Sequence, residues 1–334
     1  MVVFLARRVL WALLVIWVVS LITFSLSRIV PADPAAFVAG LGATKSQIES
    51  IRKEMGLDRP LPEQYASYAK GLVRLDLGTS IRTRRAVVTD LRHFFPATLE
   101  VILISFVVYL ILSAVLGILA ATRPGGVLDL LIRLGAISGS AIPVFWLAIV
   151  LQLLFYTRLG WLPIGGRISV HEAPPPFLTG FFTIDSLAAG DPHLFLSVLK
   201  HLLLPVVTVV LSLLAVGTRL IRATFLEELS KPYVRVAVSK GLSERRVIFQ
   251  HVLKNALNPI ITVTSLQFAY LFAWTILIEA IFTWPGIGLY AYDSFQALDY
   301  APIMALALTV TVAFVLINLV TDLIYPLIDP RIRD

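Results

Sequence analysis

The sequence predicts an all-α, polytopic membrane protein with six transmembrane helices. Three observations carry that prediction. Of 334 residues, 58% are hydrophobic and only 15% charged, where a soluble domain carries about 25% charged residues. Six stretches contain no Asp, Glu, Lys or Arg over 17 to 24 residues. Each is long enough to cross a hydrocarbon core of about 30 Å at about 1.5 Å per residue. Finally, the Lys and Arg residues are unevenly divided between the connecting segments. This composition excludes disorder, which needs low hydrophobicity and high charge. It also excludes a soluble globule, whose core could not hide so much apolar surface. There are no cysteines, so disulfides and thiolate metal sites are excluded, while the compartment is left undecided.

The six windows are Val9–Ser27, Val101–Thr122, Leu134–Thr157, Leu202–Thr218, Asn255–Ile278 and Tyr300–Thr321. Arg7 and Arg8 precede the first, as in a signal peptide. The apolar run is too long and no small-residue cleavage site follows, so it reads as an uncleaved first helix. An even number of spans puts both termini on one side. With the N-terminus inside, the inner segments carry Arg7, Arg8, Arg123, Arg133, eight Lys/Arg between Arg219 and Lys254, then Arg331 and Arg333. The short outer loop Trp284–Asp299 carries none. The long outer segment Pro31–Phe95 carries ten, but long loops cross largely regardless of charge. Both termini are therefore expected in the cytoplasm. The net charge of +7 is a matter of membrane sidedness and lipid, and no nucleic-acid partner is expected.

Three regions follow: residues 1–30, a cytoplasmic N-terminus and first span; 31–95, an extracytoplasmic helical segment; and 96–334, a five-helix core with a cytoplasmic loop at about 223–258. In the second region Thr44 with Gln47 is a capping-box signature. Ile48, Ile51 and Met55 share a helical face that Gly56 can end. Beyond Pro60 and Pro62, Tyr65, Tyr68, Leu72 and Leu75 recur at helical spacing, with Gly78 after them. These stripes must be buried against the chain's own bundle, the membrane surface or a soluble partner. Pro143 and Pro205 lie inside spans and are expected to kink them. Glu100, Arg133, Gln152, Glu279 and Asp322 lie at or near span ends, as helix contacts or interface anchors.

The cytoplasmic loop is the most informative segment. Pro232 suits a first helical turn, Tyr233–Lys240 reads as helix, and Gly241 stops it. Ser243 can cap the next helix, with Glu244 in its first turn. Val247, Ile248, Val252, Leu253, Ala256 and Leu257 then form one apolar stripe, with Arg245, Arg246, Gln250 and Lys254 facing elsewhere. Asn258-Pro259 opens the fifth span. Eight basic and three acidic residues give this helix–glycine–helix element a charge of +5. A charge cluster beside a membrane can be a topology signal or a lipid contact. A capped pair with its own stripe is more than topology requires, and looks built to insert into a partner's groove.

Here the sequence resembles the inner-membrane permease subunits of ABC importers for dipeptides, oligopeptides and nickel. Their cytoplasmic loop has the form E-A-A-x-x-x-G. Arg235 stands at the first position, as in the peptide branch, Ala237 at the second Ala and Gly241 at the Gly, while Val236 replaces a small residue. Pro31-Ala32-Asp33-Pro34, Gly56-Leu57-Asp58-Arg59-Pro60, Asp76-Leu77-Gly78, Pro96-Ala97-Thr98-Leu99-Glu100, Trp284-Pro285-Gly286-Ile287-Gly288 and Leu327-Ile328-Asp329-Pro330-Arg331-Ile332-Arg333 follow in the family's order. The resemblance implies a type I ABC importer permease fold in the cytoplasmic membrane. It implies a second homologous permease subunit, two ATPase subunits that bind ATP and Mg, and an extracytoplasmic substrate-binding protein. No cofactor is expected in this chain. Tyr233, Arg235, Ala237, Lys240, Gly241, Leu242, Glu244 and Arg245 would form the coupling element seated in the ATPase, with the substrate pathway unassigned. Peptides are the implied substrate, with nickel complexes and some sugars carried on the same scaffold.

Other chemistries are poorly supported. Gly40–Ser46 lacks the glycine spacing of a phosphate loop, and His171-Glu172 has no second His four residues on. Ser138 and Ser140 have no histidine base inside any window and suit close helix packing. A membrane enzyme would need a nucleophile–base or metal constellation. A secondary transporter would need a coupling carboxylate or an unwound ion site near the midplane, and no Asp or Glu lies mid-span.

Overall fold

The computed structural model describes residues 2–29, 34–40, 42–54 and 56–328. Pro31, Ala32, Asp33, Leu41, Met55 and the ending from Asp329, including Arg331 and Arg333, lie outside the described residues. In chain order the helices are α1 (Val2–Ile29), α2 (Pro34–Ala39), α3 (Lys45–Glu54), α4 (Leu61–Val73), α5 (Val87–Thr122), α6 (Val127–Ala141) and α7 (Val144–Gln152). There follow α8 (Phe182–Ala188), α9 (Pro192–Ser230), α10 (Pro232–Ser239), α11 (Glu244–Arg246), α12 (Leu253–Ile281), α13 (Ile287–Gln296) and α14 (Tyr300–Ile328). Two π-helical stretches, Leu153–Arg158 and Val247–Val252, extend α7 and lead into α12. Among the described residues there is a single isolated β-bridge, Thr79 to Ala86. The protein is all-α.

Among the described residues, five helices are long and apolar enough to cross a membrane: Ala6–Arg28, Val87–Thr122, Pro192–Ser230, Glu244–Ile281 and Tyr300–Leu323. The third expected span is not straight. Val127–Gly139 and Val144–Arg158 meet at a bend of 97°, and the pair counts as a sixth span only if taken as one. Ile142 and Pro143 at the break are extended, with ψ of 123° and 135°. Pro143 disfavours helical backbone at Ile142 and cannot supply a helical N–H, so a break is the local solution. Pro205 behaves differently and lies within continuous α9. Asn258-Pro259 does not open a new helix either, because Pro259 lies inside α12. Ala256 and Ile260 on either side are buried, and that burial outweighs one lost backbone bond.

The chain divides into two compact units, Met1–Phe95 with Gly286–Leu316, and Pro96–Pro285 with Ile317–Asp334. In the first, the capping box forms as expected: Thr44 N donates to Gln47 Oε1 at 2.8 Å and Gln47 N to Thr44 Oγ1 at 3.4 Å. The stripe on α4 packs on α1. Tyr65 and Tyr68 lie 5.4 and 5.8 Å from the Phe24 ring, and the Tyr65 hydroxyl is 2.9 Å from Ser20 Oγ. The segment thus folds over its own first helix. Leu75 does not join the stripe, since it lies beyond the end of α4 at φ 59° and is exposed. The turn 80–85 is tied down by Ser80 Oγ to Asp299 (2.7 Å), Thr83 Oγ1 to Asp90 (2.6 Å) and Arg85 to Asp90 (2.8 Å).

In the second unit α9 is the central helix. It starts sharply: Asp191 accepts from Leu194 N at 2.9 Å and Pro192 fills the first turn. It packs against α6, α7, α8 and α12. Arg222 on α9 grips buried Asp129 of α6 through two bonds of 2.7 and 2.9 Å. Beside it, α5 approaches closely. A Cβ on Gly117 would lie 2.8 Å from Ile221 side-chain atoms, so only glycine fits there.

Candidate functional site

The element between α9 and α12 is built on a small core of its own. Val234 and Ala237 of α10 pack with Val247, Ile248 and Val252 against Ile221 and Phe225 of α9, Ala121 of α5, and Ala256 and Ile260 of α12. Glu228, at the end of α9, is the hinge pin. Its carboxylate accepts from Lys231 Nζ and, at 2.7 Å, from the Tyr233 hydroxyl. The bond to Glu228 holds the Lys231 ammonium pKa above its ordinary value, while burial and then Glu228 push the Tyr233 phenol up.

Gly241 ends α10 at φ +78°. Gly241 N donates to Val238 O at 2.9 Å and Leu242 N to Ala237 O at 3.3 Å, the paired bonds of a left-handed C-cap. A Cβ there would have no neighbour within 4 Å, so the chain itself leaves space beside the turn. Ser243 occupies the N-cap position of α11 but makes no side-chain capping bond. Its backbone carbonyl accepts from Val247 N instead.

The eight residues singled out from sequence separate into two groups. Tyr233, Ala237 and Leu242 face the chain's own core. Arg235, Lys240, Gly241, Glu244 and Arg245 are exposed. The apolar stripe of the second helix, Val247, Ile248, Val252 and Ala256, is used up inside the chain. The outward apolar side chains are instead Val236 (54% exposed), Val238 (59%) and Phe249 (52%). Arg235, Lys240, Arg245 and Arg246 are exposed on the same element, without an ion-pair partner among the described residues. Val236, which departs from the small residue of the motif, is one of these outward groups.

A second polar centre was not evident from sequence. Glu100 is wholly buried and accepts from Arg167 Nη2 at 2.5 Å and from Thr183 N and Oγ1 at 2.7 and 2.8 Å. Arg167 also donates to Gly180 O at 2.8 Å and lies 3.5 Å from the centre of the Phe182 ring. Alongside, Thr98 Oγ1 donates to Glu279 and Trp284 Nε1 to Ala97 O at 2.9 Å. Two motifs far apart in sequence, Pro96–Glu100 and the Trp284 turn, therefore meet. Gln152 joins the same kind of work, donating to Ile164 O and Ile281 O. These polar groups near span ends are helix and loop contacts.

Asp185 completes the loop before α9. Burial raises its pKa, but bonds from the Thr179 hydroxyl and from Thr179, Gly180 and Leu178 N–H groups outweigh this and hold it below the usual carboxylate range. Its stabilisation is therefore complete above about pH 5 and lost as the pH falls below about 4 through the depressed pKa. Asp185→Asn should cost about 1–3 kcal/mol at pH 7 by setting an amide against N–H donors. Thermal melts of the two proteins should converge in acid.

The profile for the N-terminal part of binding-protein-dependent transport membrane components matches residues 1–102. That of the binding-protein-dependent transport system inner membrane component matches residues 113–334. The chain belongs to this permease family. It is 43% identical over 327 residues to the probable D,D-dipeptide transport system permease protein DdpB of Escherichia coli K12, covering 98% of this chain and 96% of the relative. It is 37% identical to the di/tripeptide transport system permease protein DppB of Pseudomonas aeruginosa, covering 99% and 98%. A chain of the inward-facing MetNI methionine ABC transporter matches at TM-score 0.50 and 14% identity, over 70% of this chain and 94% of that one, which shows the fold alone. The permease is a multi-pass inner-membrane transport subunit and not an enzyme. Among the described residues no group of three His, Cys, Asp or Glu could hold a metal ion.

Proposed function

We propose that the permease moves peptides across the cytoplasmic membrane by alternating access, driven by separate ATPase subunits. In this reading it pairs with a second homologous permease subunit, and an extracytoplasmic binding protein delivers substrate. The bent α6–α7 pair counts as one span, giving six spans with both termini cytoplasmic, residues 31–95 outside and residues 96–334 as the core. The peptide assignment rests on relatives named for dipeptide and di/tripeptide transport over nearly their whole length.

One observation carries the energy-coupling part: the outward face of the helix–glycine–helix element. Exposed Val236, Val238 and Phe249 share this element with four exposed cations that have no ion-pair partner among the described residues. The inner half, Tyr233, Ala237 and Leu242, positions the element. The outer half, Arg235, Lys240, Gly241, Glu244 and Arg245, meets an acidic-rimmed apolar groove on an ATPase. ATP closure and the loaded binding protein then bias one bundle arrangement over the other.

Reconstitution in liposomes tests this. With the second permease and the ATPases present, ATP inside and the binding protein with labelled dipeptide outside, the dipeptide should accumulate in the lumen. Omitting either the ATPases or the binding protein should abolish accumulation, and the chain alone should hydrolyse no ATP. Uptake persisting without ATPase subunits would contradict the reading.

A further inference from the structure

Far along the chain from the coupling element, the end of α1, the end of α3 and the start of α4 enclose a polar cavity of about 350 Å³ lined by Arg28, Glu54, Arg59, Gln64, Ser67 and Tyr68. Two atoms of these residues, Arg28 Nε and Gln64 Oε1, are shielded from solvent and have no hydrogen-bond partner among the described residues, and a third, Tyr68 OH, is shielded with Thr23 as its hydrogen-bonding neighbour. Unmade bonds on residues that line one cavity are unusual in a folded protein, because each carries a desolvation cost.

The arrangement is held firmly. Gln64 Nε2 donates to Arg59 O at 2.8 Å and Leu57 O at 3.2 Å. Those two carbonyls commit the amide nitrogen and leave the amide oxygen waiting for a donor. The Arg28 guanidinium lies 5.2 Å from the Phe24 ring centre, and Tyr68 stacks on the same ring at 5.8 Å.

The chemistry of the wall is mixed. Arg28 Nε and Tyr68 OH can donate to an anion, and Arg59 adds a second positive charge at the rim. Gln64 Oε1 can only accept, and Glu54 at the rim is negative. A phosphate alone would leave Gln64 Oε1 unmet. A group with both a phosphate and an ammonium satisfies all of them.

Depth and surface add the remaining constraint. Arg28 ends the apolar helix Ala6–Arg28, at the level where a spanning helix meets headgroups. Leu21, Trp17 and Leu14 are exposed. They precede Arg28 by about 10, 16 and 21 Å along the axis and share its helical face. They form an apolar track leading to the cavity.

We propose that this cavity binds the headgroup of an ammonium-bearing glycerophospholipid, with the phosphate at Arg28 and Tyr68, the ammonium at Gln64 and Glu54, and an acyl chain along Leu21, Trp17 and Leu14. A free zwitterion such as a dipeptide shares the headgroup chemistry but makes no use of the apolar track.

Native mass spectrometry of the full-length chain tests it, with palmitoyl-oleoyl phosphatidylethanolamine, the matching phosphatidylglycerol and a dipeptide as probes. Wild type should retain one phosphatidylethanolamine in preference to phosphatidylglycerol. Glu54→Gln changes an exposed side chain and should lower that preference about fivefold with an unchanged melting temperature. Tyr68→Phe keeps the ring stack and should weaken both lipids about tenfold. If Tyr68→Phe misfolds, Glu54→Gln alone decides. An unchanged lipid preference in Glu54→Gln, no retained phospholipid on wild type, or displacement of phosphatidylethanolamine by the dipeptide would each overturn the proposal.

Discussion

Glu100→Ala should lower the thermal midpoint of the permease by on the order of 10 °C. The variant takes from the Arg167 guanidinium, only 7% exposed, its bonded counter-charge and leaves it the more distant Asp185 and Glu279, and breaking a buried pair in this way costs about 3–5 kcal/mol. It also removes the acceptor for Thr183 N and Oγ1, so the start of α8 should loosen with it. Trp284 is wholly buried and near the Arg167 guanidinium at 5.6 Å, which makes tryptophan fluorescence a direct readout. The double variant Glu100→Met with Arg167→Met should recover part of the loss, because no unpaired guanidinium is left to desolvate, while Thr183 N and Oγ1 stay without their acceptor. If the double variant is as unstable as the single, the pair is not what holds this loop.

Gly241 should show a different pattern, in which stability and transport part company. At φ +78° an ordinary L-residue costs about 1–2 kcal/mol, whereas Asn tolerates the left-handed region. No atom lies within 4 Å of a Cβ built there, so the fold itself is indifferent to side-chain size. Gly241→Ala and Gly241→Trp should therefore melt alike, a little below wild type, and Gly241→Asn close to wild type. Transport should instead follow volume: modest losses for Ala and Asn, and at least about tenfold for Trp, a penalty of about 1.4 kcal/mol or more against the partner surface. Transport that tracks melting temperature across the three would mean that Gly241 serves only the turn.

The parts of this permease that could be read from sequence are those with a short period or a local signal. Thr44 and Gln47, Pro232 and Gly241 are each contained within one or two helical turns, and the structure places them as read. Five of the charge-free windows fall on long apolar helices, but such windows are blind to backbone direction, so the bend at Ile142-Pro143 escaped the sixth. The Pro259 boundary failed for the reverse reason: a local breaker was overruled by burial of Ala256 and Ile260. Leu75 kept helical spacing on paper after the helix had ended at Val73.

The buried polar centre was out of reach for a stronger reason. Arg167 lies 67 residues from Glu100, and Glu279 lies 181 from Thr98. No periodicity links such positions, and a loop arginine looks the same in sequence whether exposed or buried. The family motifs at Pro96–Glu100 and Trp284 were visible as resemblances. Their physical reason, a carboxylate and an indole closing on one loop, is a matter of tertiary contact. In the coupling element the charged residues were legible, but their division was not. The stripe that looked free for a partner is spent in the core, and Val236, Val238 and Phe249 hold the outer face.

That outer face is where the account is most exposed to test. A photo-cross-linking residue should be placed in turn at Val238, Phe249, Val247 and Ile248 of the permease assembled with its second permease and ATPase subunits. Val238 and Phe249 should cross-link to the ATPase, while Val247 and Ile248 should give products within the chain only. Cross-links from Val238 and Phe249 to lipid or to the second permease, with none to the ATPase, would contradict the claim that ATP energy enters here.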